Sequence, residues 1–299
     1  MTSKLRMPRP RHQYAIFPSE CRLGFLIEAS YDTSARSANY QRIQGDWIAT
    51  LEEKYPQFSY LYLIGDPESP PLDPTSMVKT KKDNHTLHPF FKNIRNPHVL
   101  YYLVSKLMTE IRITGHFLQV PLPPCPQYRS LIWWLGYYYL VYQYQTPHHL
   151  PPLYWIHLPD VSWVNFDRLA NLFNSLPSNS HLIGTAALAN PPPQPSSILI
   201  PKGLYPEIPY HRPFFSSWVS SDHGFIISEH ALRVYLQSKN ALYLWTDIYP
   251  DKSLTDVVQC DNKIRLLSPL GFISAIISKN KNKKVDPSWR YQNTFMMTV

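Results

Sequence analysis

The segment Tyr154–Asn165, with the sequence YWIHLPDVSWVN, decides how the chain is interpreted. Its first half is apolar and aromatic, which is typical of a buried strand. The pattern then reaches an acidic residue, Asp160, and a helical pattern begins at Asn165. An open α/β sheet binds its ligand where strands end in loops of this kind. The alternative is a core strand that ends at an ordinary turn, because Pro-Asp is also common turn chemistry.

Two strand patterns with a helical pattern between them precede this segment. Residues 23–29 (LGFLIEA) and 58–64 (FSYLYLI) are short apolar runs. Between them, residues 39–54 carry large apolar side chains four positions apart, as on the buried face of a helix. Strand, helix and strand in this order predict a βαβ unit with parallel strands.

The later part of the chain continues to alternate. Apolar side chains at helical spacing predict helices at 99–113, 128–142 and 166–176, and a short apolar run predicts a strand at 117–120. These elements predict a single α/β domain over residues 21–278, a mixed sheet flanked by helices, with a polar insertion at about 67–97. Basic tails at 1–20 and 279–299 flank the domain.

Composition limits the classes of partner and compartment. The chain has 299 residues and a net charge of +8, which favours anionic partners such as nucleotide sugars. The sequence shows no patch of alternating basic and aromatic residues, so a nucleic-acid partner is not expected. Three cysteines form neither a disulfide framework nor a metal-ligand spacing, so a reducing compartment is expected. The longest apolar run, 131–142, is too short to span a bilayer, and no signal-peptide core follows the N-terminus; both favour the cytoplasm.

The opening segment resembles the metal-binding segment of the fringe-like and β-1,3-glycosyltransferase (galactosyltransferase-like) families, W-F-x-H-x-D-D-D-x-Y-V-N. The matching positions are Trp155, His157, Asp160, Val164 and Asn165. The first and third carboxylates of the family triplet fall on Pro159 and Val161, so the D-x-D motif is degenerate.

Two later segments extend the resemblance. Residues 214–228 are similar to the family segment A-T-G-G-A-G-F-x-I-S, with Gly224 conserving its place and serines such as Ser221 replacing leading glycines. Residues 249–252 stand where fringe-like enzymes have L-P-D-D, which puts Asp251 beside Lys252 at the position of the catalytic base. A competing alignment with the Glu-Asp-Val element of the other branch gives Asp247 as the base instead.

The resemblance implies a GT-A-like (Rossmann-like) fold. It also implies inverting transfer of a hexose from a UDP-sugar to a hydroxyl of a glycan or protein acceptor, in the secretory pathway. The implied base is Asp247 or Asp251, and the implied Mn²⁺ or Mg²⁺ ligand is Asp160. The donor-binding positions are Asp66, Arg129, His157, Ser221 and Gly224. The family's donor-facing lysine falls on Trp134, which helical periodicity assigns to the core instead.

One carboxylate attracts a divalent ion weakly, so two alternatives stay open: Asp160 assists a metal, or Lys202, His211 or Arg212 neutralises the diphosphate instead. The alternative function is a catalytically degenerate module, a pseudoenzyme that binds a glycan, nucleotide sugar or protein partner without turnover. A third interpretation is an unrelated α/β protein.

Overall fold

The computed structural model describes residues 16–71, 99–125, 128–144, 151–177, 180–188, 217–238, 244–245, 250–267 and 276–278. The strands are β1 (Leu23–Glu28), β2 (Ser59–Gly65), β3 (Arg112–Thr114), β4 (Phe117–Val120), β5 (Tyr154–Pro159), β6 (Ser162–Val164), β7 (Ser180–Gly184), β8 (Ala186–Leu188), β9 (Ser217–Val219), β10 (Phe225–Ser228), β11 (Arg265–Leu267) and β12 (Ile276–Ser278). The helices are α1 (Thr33–Ile43), α2 (Ala49–Lys54), α3 (Val99–Glu110), α4 (Arg129–Tyr142), α5 (Phe166–Ser175), α6 (Glu229–Leu236) and α7 (Pro250–Val258). A π-helical segment, Gln44–Ile48, joins α1 to α2.

Eight strands form one mixed sheet in the order β11-β7-β10-β5-β1-β2-β4-β3. Strand β1 pairs in parallel with β2 on one side and with β5 on the other, which confirms the predicted βαβ unit. Strand β10 is antiparallel to both β5 and β7. The chain moves from β1 outward to β2 and β4 and then returns to the opposite side of β1 at β5. The topological switch point of the sheet therefore lies between β1 and β5.

Side chains of β1 alternate between two hydrophobic cores, one on each face of the sheet. Leu26 belongs to the core that α3, α4, α6 and α7 cover. Phe25 and Ile27 belong to the core that α1, α2 and α5 cover, together with the π-helical segment. The molecule is thus a single α/β domain with a mixed sheet flanked by helices, as the sequence predicts at this level.

Helix α4 is largely buried, since ten of its fourteen residues are inaccessible or nearly so. Trp133 and Trp134 are both inaccessible, and Trp134 makes an edge-to-face contact with Trp245. The core assignment of Trp134 is therefore confirmed. None of the helices in the described ranges has both the length and the apolar character that crossing a bilayer requires.

Local chemistry shifts several boundaries from their predicted places. The first helix begins at Thr33 and not at Asn39, because the Asp32 side chain caps it by accepting from the amides of Ser34 and Ala35. Helix α3 ends at Glu110 and not at 113, since the following residues form β3, which turns back onto β4 through a left-handed glycine.

The flanking segments are described only in part. Phe17, which the sequence places in the N-terminal tail, packs edge-on against Tyr55 and Phe58. Most of the predicted insertion at 67–97, and the tail from 279, lie outside the described residues.

Candidate functional site

Polar side chains meet at the carboxyl end of the switch point between β1 and β5. Glu28 ends β1, His157 lies on β5, and four further residues come from α4, from the short 3₁₀ turn before β10 and from the start of α7. The strand-end cluster, as we name it, comprises Glu28, Arg129, Tyr137, His157, Ser221 and Asp251. Four of its members, Arg129, His157, Ser221 and Asp251, are site residues that the sequence predicts, and the fold brings them together.

Glu28 and Arg129 form the centre of the strand-end cluster. The guanidinium donates two parallel hydrogen bonds to the carboxylate, Nε to Oε1 at 2.7 Å and Nη2 to Oε2 at 2.8 Å. Burial alone would raise the pKa of Glu28, but the charge and hydrogen bonds of Arg129, with a smaller contribution from His157, hold it well below its usual range. Glu28 is therefore an anion at neutral pH, and its partner Arg129 stays a cation.

His157 is a fully buried member of the strand-end cluster. Only 1% of its surface is exposed, and its Nδ1 shares a hydrogen bond with the hydroxyl of Tyr137. Its Nε2 lies 3.6 Å from Glu28 Oε2. Burial lowers the pKa of His157 more than Glu28 raises it, so the imidazole is neutral at pH 7.

Ser221 links Arg129 to Asp251 by hydrogen bonds to both residues. Its backbone amide and its hydroxyl both donate to Asp251 Oδ2 at 3.0 Å. Arg129 Nη2 donates to the same hydroxyl at 3.3 Å. Ser221 thus bridges the Arg129 guanidinium and the Asp251 carboxylate at the edge of the switch point. The Arg129 side chain is 30% exposed, so this edge is open to solvent.

Asp160 lies in the turn after β5 but points into the protein. The residue is 4% exposed. Its Oδ2 accepts from the amide of Ser30 at 2.7 Å, and its Oδ1 accepts from the Ser30 hydroxyl at 2.8 Å and from Asn39 Nδ2 at 3.1 Å. Arg42 and Trp47 hold the same turn by donating to the carbonyls of Asp160 and Ser162. Asp160 thus ties the loop after β1 to the turn after β5.

The hydrogen bonds of the Asp160 carboxylate affect whether it can bind a divalent cation. Such an ion prefers several oxygen ligands, and both oxygens of this carboxylate already accept hydrogen bonds from the protein. Across the described ranges, no three His, Cys, Asp or Glu side chains are grouped so that they would hold a metal ion. The described side chains do not fit a carboxylate-bound Mn²⁺ or Mg²⁺ at this position.

Of the remaining predicted residues, Asp66 lies apart from the strand-end cluster, and Gly224 has a structural role in backbone packing. Asp66 follows β2, accepts from the amide of Glu68 and lies 3.6 Å from Arg112 Nη2. Gly224 has φ +75°, and a Cβ there would lie 2.6 Å from the carbonyl oxygen of His157, so glycine permits a close approach of two strands. Positions 202, 211, 212 and 247 lie outside the described residues.

Lys252, at the base position of the fringe-like alignment, is directed into the core. Its ammonium lies 2.5 Å from Asp256 Oδ2, one turn further along α7, and both residues are at least 98% buried. The Lys252 amide donates to the Asp251 carboxylate at 2.9 Å. Asp251, and not its neighbour, therefore faces the strand-end cluster.

Sequence reasoning missed Glu28 and Tyr137. Glu28 had a usable signal, because it is an acidic residue at the end of an apolar strand, the same signal that singled out Asp160. Tyr137 had none, since it is one of several aromatic residues in α4 and only the position of β5 distinguishes it.

Comparison of the sequence with known protein families and with curated proteins gives no match. The functional interpretation therefore depends on the geometry of the strand-end cluster and on the sequence resemblance.

Proposed function

We propose that this protein is a GT-A-like hexosyltransferase that binds a UDP-sugar at the switch point between β1 and β5 and transfers the hexose, with inversion, to a hydroxyl of a glycan or protein acceptor. One observation carries the proposal. Arg129, Ser221 and Asp251 meet at the carboxyl ends of two parallel strands where the sheet order reverses, which is where open α/β sheets bind nucleotides.

In this proposal Arg129 neutralises the charge that develops on the diphosphate. Its guanidinium is fixed by two bonds to Glu28, so it meets an anion without first losing side-chain freedom. A planar guanidinium also matches phosphate oxygens in a bidentate geometry. The role falls to Arg129 because the carboxylate of Asp160 is engaged by Ser30 and Asn39.

Asp251 is the general base of the proposed reaction. Its carboxylate takes the proton from the acceptor hydroxyl while that oxygen bonds to the anomeric carbon and the bond to the diphosphate breaks, releasing UDP. The amide and hydroxyl of Ser221 donate to this carboxylate, and the same hydroxyl accepts from Arg129, so Ser221 holds the base beside the guanidinium.

Transfer from a panel of UDP-hexoses, with calorimetry of UDP binding, tests the proposal. The Asp251→Asn variant is isosteric and should lower transfer by about 10²- to 10⁴-fold while UDP binding changes little. Asp222→Asn removes the same charge from an exposed position beside Ser221 and should resemble the wild type. Unchanged transfer in Asp251→Asn would contradict the base assignment.

The calorimetry also tests the metal and the family function. If UDP binding needs Mn²⁺ and is lost in Asp160→Asn, the diphosphate is bound by a metal ion at Asp160 and not by Arg129. Absence of UDP binding with and without Mn²⁺ would refute the proposed function.

A second function, binding of a nucleotide sugar or another partner without turnover, is favoured by the internal engagement of Asp160 and by the Lys252–Asp256 ion pair. UDP binding without transfer from any UDP-hexose would select it.

A further inference from the structure

A cleft of about 760 Å³ opens at the end of the sheet opposite to Arg129, the residue proposed to bind the diphosphate. The connection from α2 to β2, the turn between β3 and β4 and the end of α4 form its walls. Helix α4 begins at Arg129 and reaches the cleft at Tyr139, about 15 Å further along the helix axis. The cleft is thus separate from the proposed donor site.

The cleft presents a flat aromatic surface. The imidazole of His116 stacks on the ring of Tyr60, with ring centroids 4.0 Å apart and planes inclined by 7°. Tyr60 is 6% exposed, whereas His116 is exposed. Because Tyr60 covers one face of the imidazole, the accessible surface of His116 belongs to its edge and its other face. Tyr139 and Tyr144 add further ring surface to the walls.

The polar groups of the cleft suit hydroxyls and not an anion. Glu52 is exposed, and its carboxylate accepts from the Tyr60 hydroxyl at 2.5 Å. Ser59 and Gln143 bring a hydroxyl and an amide to the same walls. Of the described residues that line the cleft, none is Lys or Arg. Among these described residues, a phosphate or nucleotide would find no guanidinium or ammonium of the kind that Arg129 provides at the other end of the sheet.

We propose that this cleft is a binding site for a neutral saccharide of one or two hexose units. The volume lies within the range of small-ligand sites, about 300–1,000 Å³. A sugar ring has an apolar face that lies flat on an aromatic ring, here the outer face of His116, and hydroxyls that bond to carboxylate and amide groups, here Glu52 and Gln143. The site is independent of the proposed transfer reaction.

Ligand-observed NMR of the full chain with the methyl glycosides of glucose, galactose, mannose, N-acetylglucosamine and N-acetylgalactosamine tests this proposal. At least one glycoside should bind with a millimolar Kd. His116→Ala should weaken that binding about fivefold by removing the stacking surface. Glu52→Gln, which keeps an acceptor for Tyr60, should also weaken it. His230→Ala alters an exposed histidine outside the cleft and should bind as the wild type does.

Three outcomes would overturn the saccharide site. The first is the absence of binding by every glycoside in the panel, and the second is equal binding by wild type, His116→Ala and Glu52→Gln. The third is binding of tetramethylammonium in preference to the glycosides and its loss in Glu52→Gln, since that would identify the aromatic walls as a cation site.

Discussion

Glu28 and Asp160 are both acidic residues at the ends of adjacent parallel strands, yet their surroundings give them different roles. Glu28 pairs with a cation, Arg129, whose side chain is 30% exposed. The carboxylate of Asp160 accepts from neutral groups of Ser30 and Asn39, and the residue is 4% exposed. The first arrangement holds a charged group at the surface of a site, whereas the second holds two loops together.

Replacement of Asp160 measures this structural role. Asp160→Ala leaves the amide and hydroxyl of Ser30 without their acceptor, and it should lower the free energy of unfolding by about 2–4 kcal/mol. Asp160→Asn keeps the shape and one acceptor oxygen, so its loss should be smaller. Chemical denaturation measures both, with Asp222→Ala at an exposed position as the control. An Asp160→Ala variant as stable as this control would contradict the role.

The pKa of Glu28 predicts how stability depends on pH. Because its folded pKa lies well below that of an unfolded glutamate, its contribution is complete above about pH 5 and is lost as pH falls below about 4.3 toward the folded pKa. This group adds a slope of at most about 1.4 kcal/mol per pH unit in that window.

The Glu28→Gln variant tests that dependence. At neutral pH it should be about 3–5 kcal/mol less stable, since Arg129 loses its anionic partner. Its free energy of unfolding should then fall less steeply between pH 5 and pH 3 than that of the wild type. Glu53→Gln, at an exposed position in α2, should keep the wild-type slope. Equal slopes for wild type and Glu28→Gln would show that Glu28 is not the titrating group.

At the level of elements, apolar runs and helical spacing were enough to predict the three central strands and the helix between the first two, whereas the strands at 112–114 and 265–267 were not predicted. The central strands β1, β2 and β5 lie within one or two residues of their predicted positions, because each is a continuous apolar run buried on both faces. The periodic pattern that placed Trp47 on a buried helix face also holds, as that side chain is 2% exposed.

The candidate site was predicted less completely, since it depends on contacts between distant elements. Sequence patterns brought His157 and Asp251 into one hypothesis through the family resemblance. They gave no means of knowing that the strand-end cluster is centred on Glu28, 101 residues before Arg129 in the chain. The sequence patterns also could not predict that the Asp160 side chain points into the protein. Its partners Ser30 and Asn39 carry no sequence signal, and only the fold places them beside the carboxylate.

Helix α7 offers a test of its buried ion pair. In Lys252→Ala, the buried carboxylate of Asp256 loses its ammonium partner, so the free energy of unfolding should fall by about 3–5 kcal/mol. In the double variant Lys252→Met/Asp256→Leu, apolar groups of similar size replace both charges, and most of that loss should be recovered. Chemical denaturation at pH 7 measures the two variants. A double variant no more stable than Lys252→Ala would contradict this account of α7.

At the scale of the molecule, the sheet joins two cores that share every central strand. Leu26 and Ile27 are adjacent in β1 and fully buried, but they lie in the core under α4 and in the core under α1, respectively. Because one strand contributes to both layers, neither layer keeps its packing when the other unfolds. The domain is therefore expected to unfold in one cooperative step.

Leu26→Ala and Ile27→Ala test this coupling, because each removes apolar volume from a different core. Each should lower the free energy of unfolding by about 2–5 kcal/mol and move the whole transition, with circular dichroism and tryptophan fluorescence giving the same midpoint. Ile16→Ala, at a residue that is 82% exposed, should leave the free energy of unfolding within about 0.5 kcal/mol of the wild-type value. If either core variant produced two separated transitions, with only one of them displaced, the two faces of the sheet would be independent folding units, and a ligand at the switch point would stabilise only the face that carries Arg129.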